Sequence, residues 1–292
     1  MGRTMFSFSP LHATFAAEVT SIDLRNVVLF EELEKIRHGM DEFAVLVFRN
    51  QSLSVMEQVA FAQRLDGELH DKTSNAVLTK NRYGHEAVTD ISNVDAGGDI
   101  LDVNDRRRMN GIANRIWHTD ASFQDPPGRY SMLYARALPP VRADTQFADM
   151  RAAYTALDAS SKEKINGLHA HHSIVYSRHI MGFDFSEEEQ LKLPGASHPL
   201  VRHFPNTNSR SLYLASHAQY ILEMAVPEGR LLLRDLMEHA TQHEFVFSHE
   251  WQLNDLVIWD NRTTMHRASS FDDKLYKREL TRVTTLDLPL GS

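Results

Sequence analysis

The residues able to do chemistry fall into two stretches far apart in the chain. In Arg115-Ile116-Trp117-His118-Thr119-Asp120 a histidine and an aspartate stand two positions apart, and side chains at i and i+2 of an extended segment point to the same side. An imidazole nitrogen and a carboxylate oxygen so placed could reach one metal ion. Alone the pair says little, because a chain of 292 residues with 16 histidines is expected to hold about one His-x-Asp by chance. Its company is Trp259-Asp260-Asn261-Arg262-Thr263-Thr264-Met265-His266-Arg267, where a strand-like run passes through a polar turn and delivers His266. Two imidazoles and one carboxylate on one side of an ion leave the other positions open, the arrangement that suits non-haem Fe(II). A bidentate 2-oxo acid and dioxygen would take the open positions. If the oxo acid is a dicarboxylate, its far end needs a cation, and the planar fork of arginine is preferred there. Arg278 and Arg282 lie beyond His266 in what reads as the final strand, where their even separation puts both on one face. From position alone, the plainer reading of either arginine is a solvated surface charge.

Such residues need a scaffold. Phe30 to Phe43 carries apolar residues at helical spacing, and Ala44-Val45-Leu46-Val47-Phe48 after it is short and rich in β-formers, as a buried strand should be. Ser54 with Glu57 three residues on forms a capping box that opens a second helix to about Arg64. A third helix is expected from near Asp149 to Leu157, and a fourth from Glu228 to His243, with Leu232, Leu236 and Ala240 on one face. Strand-like pieces are Ile91 to Val94, Tyr130 to Ala137, Thr145 to Ala148, Leu212 to Ala215, Phe245 to Phe247 and Leu256 to Trp259. Many short strands, with helices concentrated early and late and no Gly-rich phosphate loop, favour a mainly β core of sandwich or jelly-roll type with flanking helices.

Composition narrows the classes. The chain is 42% hydrophobic, enough for a real core, and no repeat or linker divides it, so residues 1–292 read as a single domain with helical insertions. There is no cysteine, which excludes disulfides, thiolate catalysis and Cys-ligated metal. A net charge of -8 opposes an unassisted grip on nucleic acid or anionic membrane. Met1 to Pro10 lacks the basic and apolar regions of a secretory signal, and no run approaches the ~18 apolar residues of a membrane span, so a cytoplasmic protein is expected.

Taken together, His118-Thr119-Asp120, Asp144-Thr145, Trp259-Asp260-Asn261-Arg262 through His266-Arg267, and Arg278-Glu279-Leu280-Thr281-Arg282 resemble the taurine dioxygenase family of Fe(II)/2-oxoglutarate-dependent dioxygenases. The likeness is strongest to members acting on aryloxyacetates. It runs through Val45-Leu46-Val47-Phe48-Arg49, Gln58-Val59-Ala60-Phe61-Ala62, Asp90-Ile91-Ser92-Asn93-Val94, Arg129-Tyr130-Ser131-Met132-Leu133 and Asp149-Met150-Arg151-Ala152-Ala153-Tyr154, in that order. The resemblance implies a double-stranded β-helix, or cupin-like jelly-roll, with iron held by His118, Asp120 and His266. It implies that Thr145 and Arg278 meet the far carboxylate of 2-oxoglutarate, that Arg282 meets the acidic group of the prime substrate, and that Asn93 lies near that substrate. It further implies dioxygen as oxidant, succinate and CO2 as co-products, and hydroxylation rather than halogenation, because Asp120 occupies the place halide would need. For an aryloxyacetate, hydroxylation beside the ether oxygen gives a hemiacetal that falls apart to a phenol and glyoxylate. Relatives assemble, so a homo-oligomer is plausible.

The sequence departs from the family at Arg64-Leu65-Asp66-Gly67-Glu68-Leu69, which implies a shifted or one-residue-longer turn, in a loop one residue longer between His266 and Arg278, and across Leu69 to Thr89, a stretch expected to contribute to a substrate lid. Rival readings stay open. A sulfonate such as taurine would suit Arg282 as well as a carboxylate, and a non-catalytic jelly-roll could bind a small molecule. His169, His171 and His172 could form a separate metal site, although no carboxylate stands at comparable spacing and a surface or pocket-lining role is preferred.

Overall fold

The computed structural model describes residues 6–71, 78 and 82–288, so part of the expected lid segment lies outside the described residues. The helix Phe30–Phe43 ends where Ala44 turns to a left-handed φ of 58°, its N–H returning to Met40, and the strand Val45–Phe48 starts at once. Ser54 caps Val55–Asp66 through the expected box: its oxygen accepts from the Glu57 N–H and the Glu57 carboxylate accepts from the Ser54 N–H at 2.8 Å. Gly67 ends that helix at φ 85°.

Seven strands form the main sheet in the spatial order Ser7–Pro10, Ala17–Thr20, Val45–Phe48, Leu256–Asp260, Gly128–Ala137, Glu279–Leu286 and Val88–Ser92. Neighbours are antiparallel except Ala17–Thr20 beside Val45–Phe48. A second sheet pairs Thr145–Asp149 with Val246–His249 on one side and Thr264–Ala268 on the other. Strand alternation then divides the core. One face of the main sheet, with Met132, Tyr134, Leu256, Ile258 and Val283, packs against Leu33, Ile36, Met40, Val59 and Phe61 of the first two helices. The other face, with Leu133, Val257, Trp259 and Leu280, meets Phe147 of the second sheet. Ala148 and Met265 on the far side of that sheet pack on Ala153 from the helix Met150–Ala156 and on Leu232, Leu233 and Leu236 from Val226–Ala240.

Some elements differ from expectation. Helices contribute about as much of the chain as strands, so the architecture is mixed with a sheet-rich core. Helices are not confined to early and late positions: Arg106–Ile112, Ala159–Ile165, Ile174–His179 and Glu187–Leu191 occupy the middle, each too short to display a period. The strand expected at Leu212 to Ala215 lies at Ser209–Leu212, because the backbone after it bonds elsewhere: Leu214 O accepts from Thr119 Oγ1, and Ser216 N–H donates to Trp117 O. The last long helix runs Val226–Ala240, starting with Pro at its first turn and stopping short of His243, where a 3-10 turn takes over.

One buried side chain clamps the main sheet. Gln58, fully buried on its helix, donates to Met132 O at 3.0 Å and Thr281 O at 2.9 Å, on adjacent strands, and accepts from Thr281 Oγ1 at 2.8 Å. Gln58→Ala strands these groups without water, so unfolding free energy from urea titration is expected to drop by about 2–3 kcal/mol.

Candidate active site

The site lies between the two sheets and is built by register. His266 pairs with Phe147 and shares its inward face. The segment carrying His118 lies alongside: His118 N–H donates to His266 O at 3.0 Å and His266 N–H donates to His118 O at 2.8 Å. Because that segment is extended, His118 and Asp120 face one way, while Thr119 turns to the opposite side and donates to Leu214 O at 2.8 Å. The result brings nitrogen or oxygen atoms of His118, Asp120 and His266 within 4.8 Å of one another, all three residues buried. His266 Nε2 stands 3.7 Å from Asp120 Oδ2, and His118 Nε2 stands 3.9 Å from Oδ1. His118 Nδ1 lies 2.8 Å from Ile116 O, a partner that accepts only, so Nδ1 carries the proton and Nε2 offers a lone pair to the site.

Burial sets the protonation states. It depresses the His118 imidazole to about 4 against the pull of Asp120, and holds His266 well below its ordinary value, so both rings are neutral near pH 7. Burial works to raise Asp120, but Arg282, the two imidazoles and the Ser131 hydroxyl outweigh it and bring the carboxyl to about 2. Ser131 Oγ donates to Asp120 Oδ2 at 2.8 Å, and an Arg282 N–H donates to Oδ1. Both come from the inward face of the main sheet, where Ser131 stands opposite Trp259 and Thr284. Two neutral nitrogens and one anionic oxygen in a dry site match a divalent metal of intermediate hardness, so the donor set fits iron(II).

Arg278 is buried and remains a cation, although burial lowers its pKa to about 10. Its guanidinium donates to Ala143 O at 3.3 Å, Nε has no partner, and no carboxylate among the described residues stands at ion-pair distance. A buried guanidinium so poorly satisfied is placed to receive an anion. Thr145, two residues from Ala143, is buried and begins the inner strand of the second sheet. Arg278 also lines a cleft of about 920 Å³ together with Thr89, Ile91, Asn93, Ala268 and Phe271. Asn93 spends its amide on the chain leading to Arg278: it donates to Asp273 O and Tyr276 O at 2.7 and 2.8 Å, and accepts from Arg278 N–H at 2.8 Å. Asp273 itself receives Arg108 at 3.0 Å and Arg115 at 3.6 Å.

His169, His171 and His172 do not converge. Their Nδ1 atoms face Glu223 at 2.9 Å, Ser197 at 3.1 Å and Ser122 at 3.0 Å respectively, which are three separate places. Sequence reasoning missed Ser131 and Asn261. Asn261 Oδ1 accepts from Asp120 N–H at 3.1 Å and from Trp259 Nε1 at 3.0 Å, while its amide donates to Ser131 Oγ at 2.9 Å. Both residues stand in motifs read from the sequence, but only strand register assigns them to Asp120. Arg178 was missed too, a buried cation whose donors go to Asn110 at 2.9 Å and Asn114 at 3.2 Å.

Comparison with known proteins places the chain in context. Residues 7–284 match the profile described as taurine catabolism dioxygenase TauD, TfdA family. The chain is similar to the alpha-ketoglutarate-dependent 2,4-dichlorophenoxyacetate dioxygenase of Cupriavidus pinatubonensis, 42% identical over 96% of this chain and 97% of that one. It is similar also to the (S)-phenoxypropionate/alpha-ketoglutarate-dioxygenase of Sphingobium herbicidovorans, at 32% identity over 91% and 90% of the two chains. Among solved structures, AAD-2 in complex with Mn(II) and N-oxalylglycine superposes with a TM-score of 0.92 at 40% identity, covering 97% of this chain and 98% of that one.

The depressed histidine gives a signed expectation for the metal-free protein. Between pH 6.5, the ordinary His value, and about 4, the unfolded chain takes up a proton that folded His118 refuses, so stability falls as pH drops through that window. The urea midpoint of the metal-free protein is expected to be lower at pH 5 than at pH 7, and His118→Asn should flatten part of that slope.

Proposed function

The chain belongs to the TauD, TfdA family of dioxygenases, and on that premise we propose that it hydroxylates an aryloxyalkanoic acid, using Fe(II), 2-oxoglutarate and O2. The reading rests most on one feature: two neutral imidazoles and an ionised carboxylate buried together, in a chain that also buries an arginine with no carboxylate at ion-pair distance among the described residues. In this reading His118, Asp120 and His266 hold the iron. Arg278 and Thr145 take the far carboxylate of 2-oxoglutarate, which supplies the negative charge that the buried guanidinium lacks. The core is a double-stranded β-helix within one domain, supported by two sheets sharing a core around the site and by the likeness to AAD-2.

When bound, iron and 2-oxoglutarate supply the oxidant: O2 is consumed, 2-oxoglutarate leaves as succinate and CO2, and one oxygen atom enters a C–H bond of the substrate. The chain's own groups hold and orient. Ser131 fixes the Asp120 carboxylate, and Asn261 holds the Ser131 hydroxyl and the Asp120 backbone N–H in place. Asn93, through its bonds to the loop before Arg278, keeps that guanidinium aimed, and this positioning is the part it plays near the substrate. Arg282 touches the donor set, and it steers the acid head of the substrate to the metal, placing the carbon beside the ether oxygen for attack. With an aryloxyacetate, hydroxylation there gives a hemiacetal that collapses to a phenol and glyoxylate.

Anaerobic addition of Fe(II) and then 2-oxoglutarate is expected to produce the weak visible band of the chelate. His118→Ala should abolish it, whereas Arg278→Leu should retain metal and require about 100-fold more 2-oxoglutarate, as expected for loss of a charge-assisted bidentate contact. Under oxygen, phenoxyacetates should drive succinate and phenol formation. Turnover with taurine and none with phenoxyacetates would overturn the assignment of the substrate.

A further inference from the structure

Trp251 follows the strand Val246–His249, and its indole N–H lies 3.0 Å from Thr145 Oγ1. An indole nitrogen donates only, so the threonine oxygen is the acceptor and its own hydrogen must be directed elsewhere. Both side chains are buried, so water does not compete for either atom. The indole is fixed in turn. The His249 ring meets it edge-on at 4.6 Å, and His249 Nε2 lies 3.1 Å from Asp255 Oδ2, an oxygen that also accepts from Gln252 N–H at 2.8 Å. The short segment through Thr145 also carries Ala143, whose carbonyl accepts from Arg278. One stretch of backbone therefore sets both the hydroxyl and the guanidinium whose Nε–H has no partner.

We propose that Trp251 is a positioning residue for the co-substrate, biasing the Thr145 hydroxyl to donate toward the far carboxylate of 2-oxoglutarate. A threonine hydroxyl without a fixed partner rotates among staggered positions and serves as donor or acceptor alike. With the indole on its lone pair, the orientation that donates into the site is selected before the ligand arrives, and the ordering cost at binding falls. The proposal rests on Thr145 and Arg278 meeting that carboxylate.

The test is the dissociation constant of 2-oxoglutarate for the Fe(II)-loaded protein under anaerobic conditions, by equilibrium dialysis, with pyruvate in parallel. Pyruvate keeps the 2-oxo acid head and lacks the far carboxylate. Trp251→Phe keeps the aromatic bulk and removes the N–H, and is expected to weaken 2-oxoglutarate about three- to tenfold, the size of one neutral hydrogen bond, with pyruvate unchanged. Thr145→Val should weaken 2-oxoglutarate by at least as much, and the double variant should bind no worse than Thr145→Val alone. Equal weakening of both ligands in Trp251→Phe, or losses that multiply in the double variant, would reduce Trp251 to a packing residue. An unchanged constant in Thr145→Val would instead remove the contact on which the inference stands.

Discussion

The structure turns on keeping one carboxylate ionised out of water. Asp120 sits between two sheets, where desolvation alone would push its proton back on, and an isolated buried charge costs several kcal/mol. Its charge survives because two donors converge on it. Ser131 and Arg282 come from neighbouring strands of the main sheet, and Asn261, from the turn after Leu256–Asp260, holds the Ser131 hydroxyl and the Asp120 backbone N–H. Each is placed by strand register, and a slip by one residue would turn it to the helix side. The apolar packing of Trp259, Phe147, Leu133 and Val257 holds that register.

A second charge, Arg278, is buried with the opposite deficiency. Asp120 accepts from Ser131 and Arg282, while Arg278 has a single carbonyl at 3.3 Å and a bare Nε. A folded protein keeps such a cation only where the surroundings over-determine its place. Here they do: Asn93 grips the loop before it, and Arg108 and Arg115 hold Asp273 on the same loop. A buried guanidinium so short of acceptors is receptive to a ligand with its own negative charge.

The division of labour among faces follows from strand alternation. Residues of the main sheet that face the first two helices are apolar and carry stability, with Gln58 as the polar clamp. Those facing the second sheet mix apolar wall with Ser131, Arg282 and Thr284. The sequence resolves this only where alternation is long and helices are long. Phe30–Phe43, Val55–Asp66 and the strands Gly128–Ala137 and Leu256–Asp260 stand where pattern and caps put them, because local energetics and tertiary packing agree there. Short helices such as Ile174–His179 and the displaced strand Ser209–Leu212 are decided by partners distant in the chain, and no window of sequence contains those partners.

By itself the sequence determined the chemistry on offer. Without cysteine, any metal had to rest on histidine and carboxylate, and His-x-Asp in extended chain already put His118 and Asp120 on one side. The motifs around His266, Arg278 and Arg282 carried the family resemblance. Only the tertiary structure decided that His266 lies beside His118, since their mutual backbone bonds join residues remote in the chain. It alone decided that Asn93 serves the loop before Arg278 and that Ser131, Asn261 and Trp251 support the site. The reason is physical: a hydrogen bond depends on distance and direction, and neither exists between remote residues until the sheets have fixed their register.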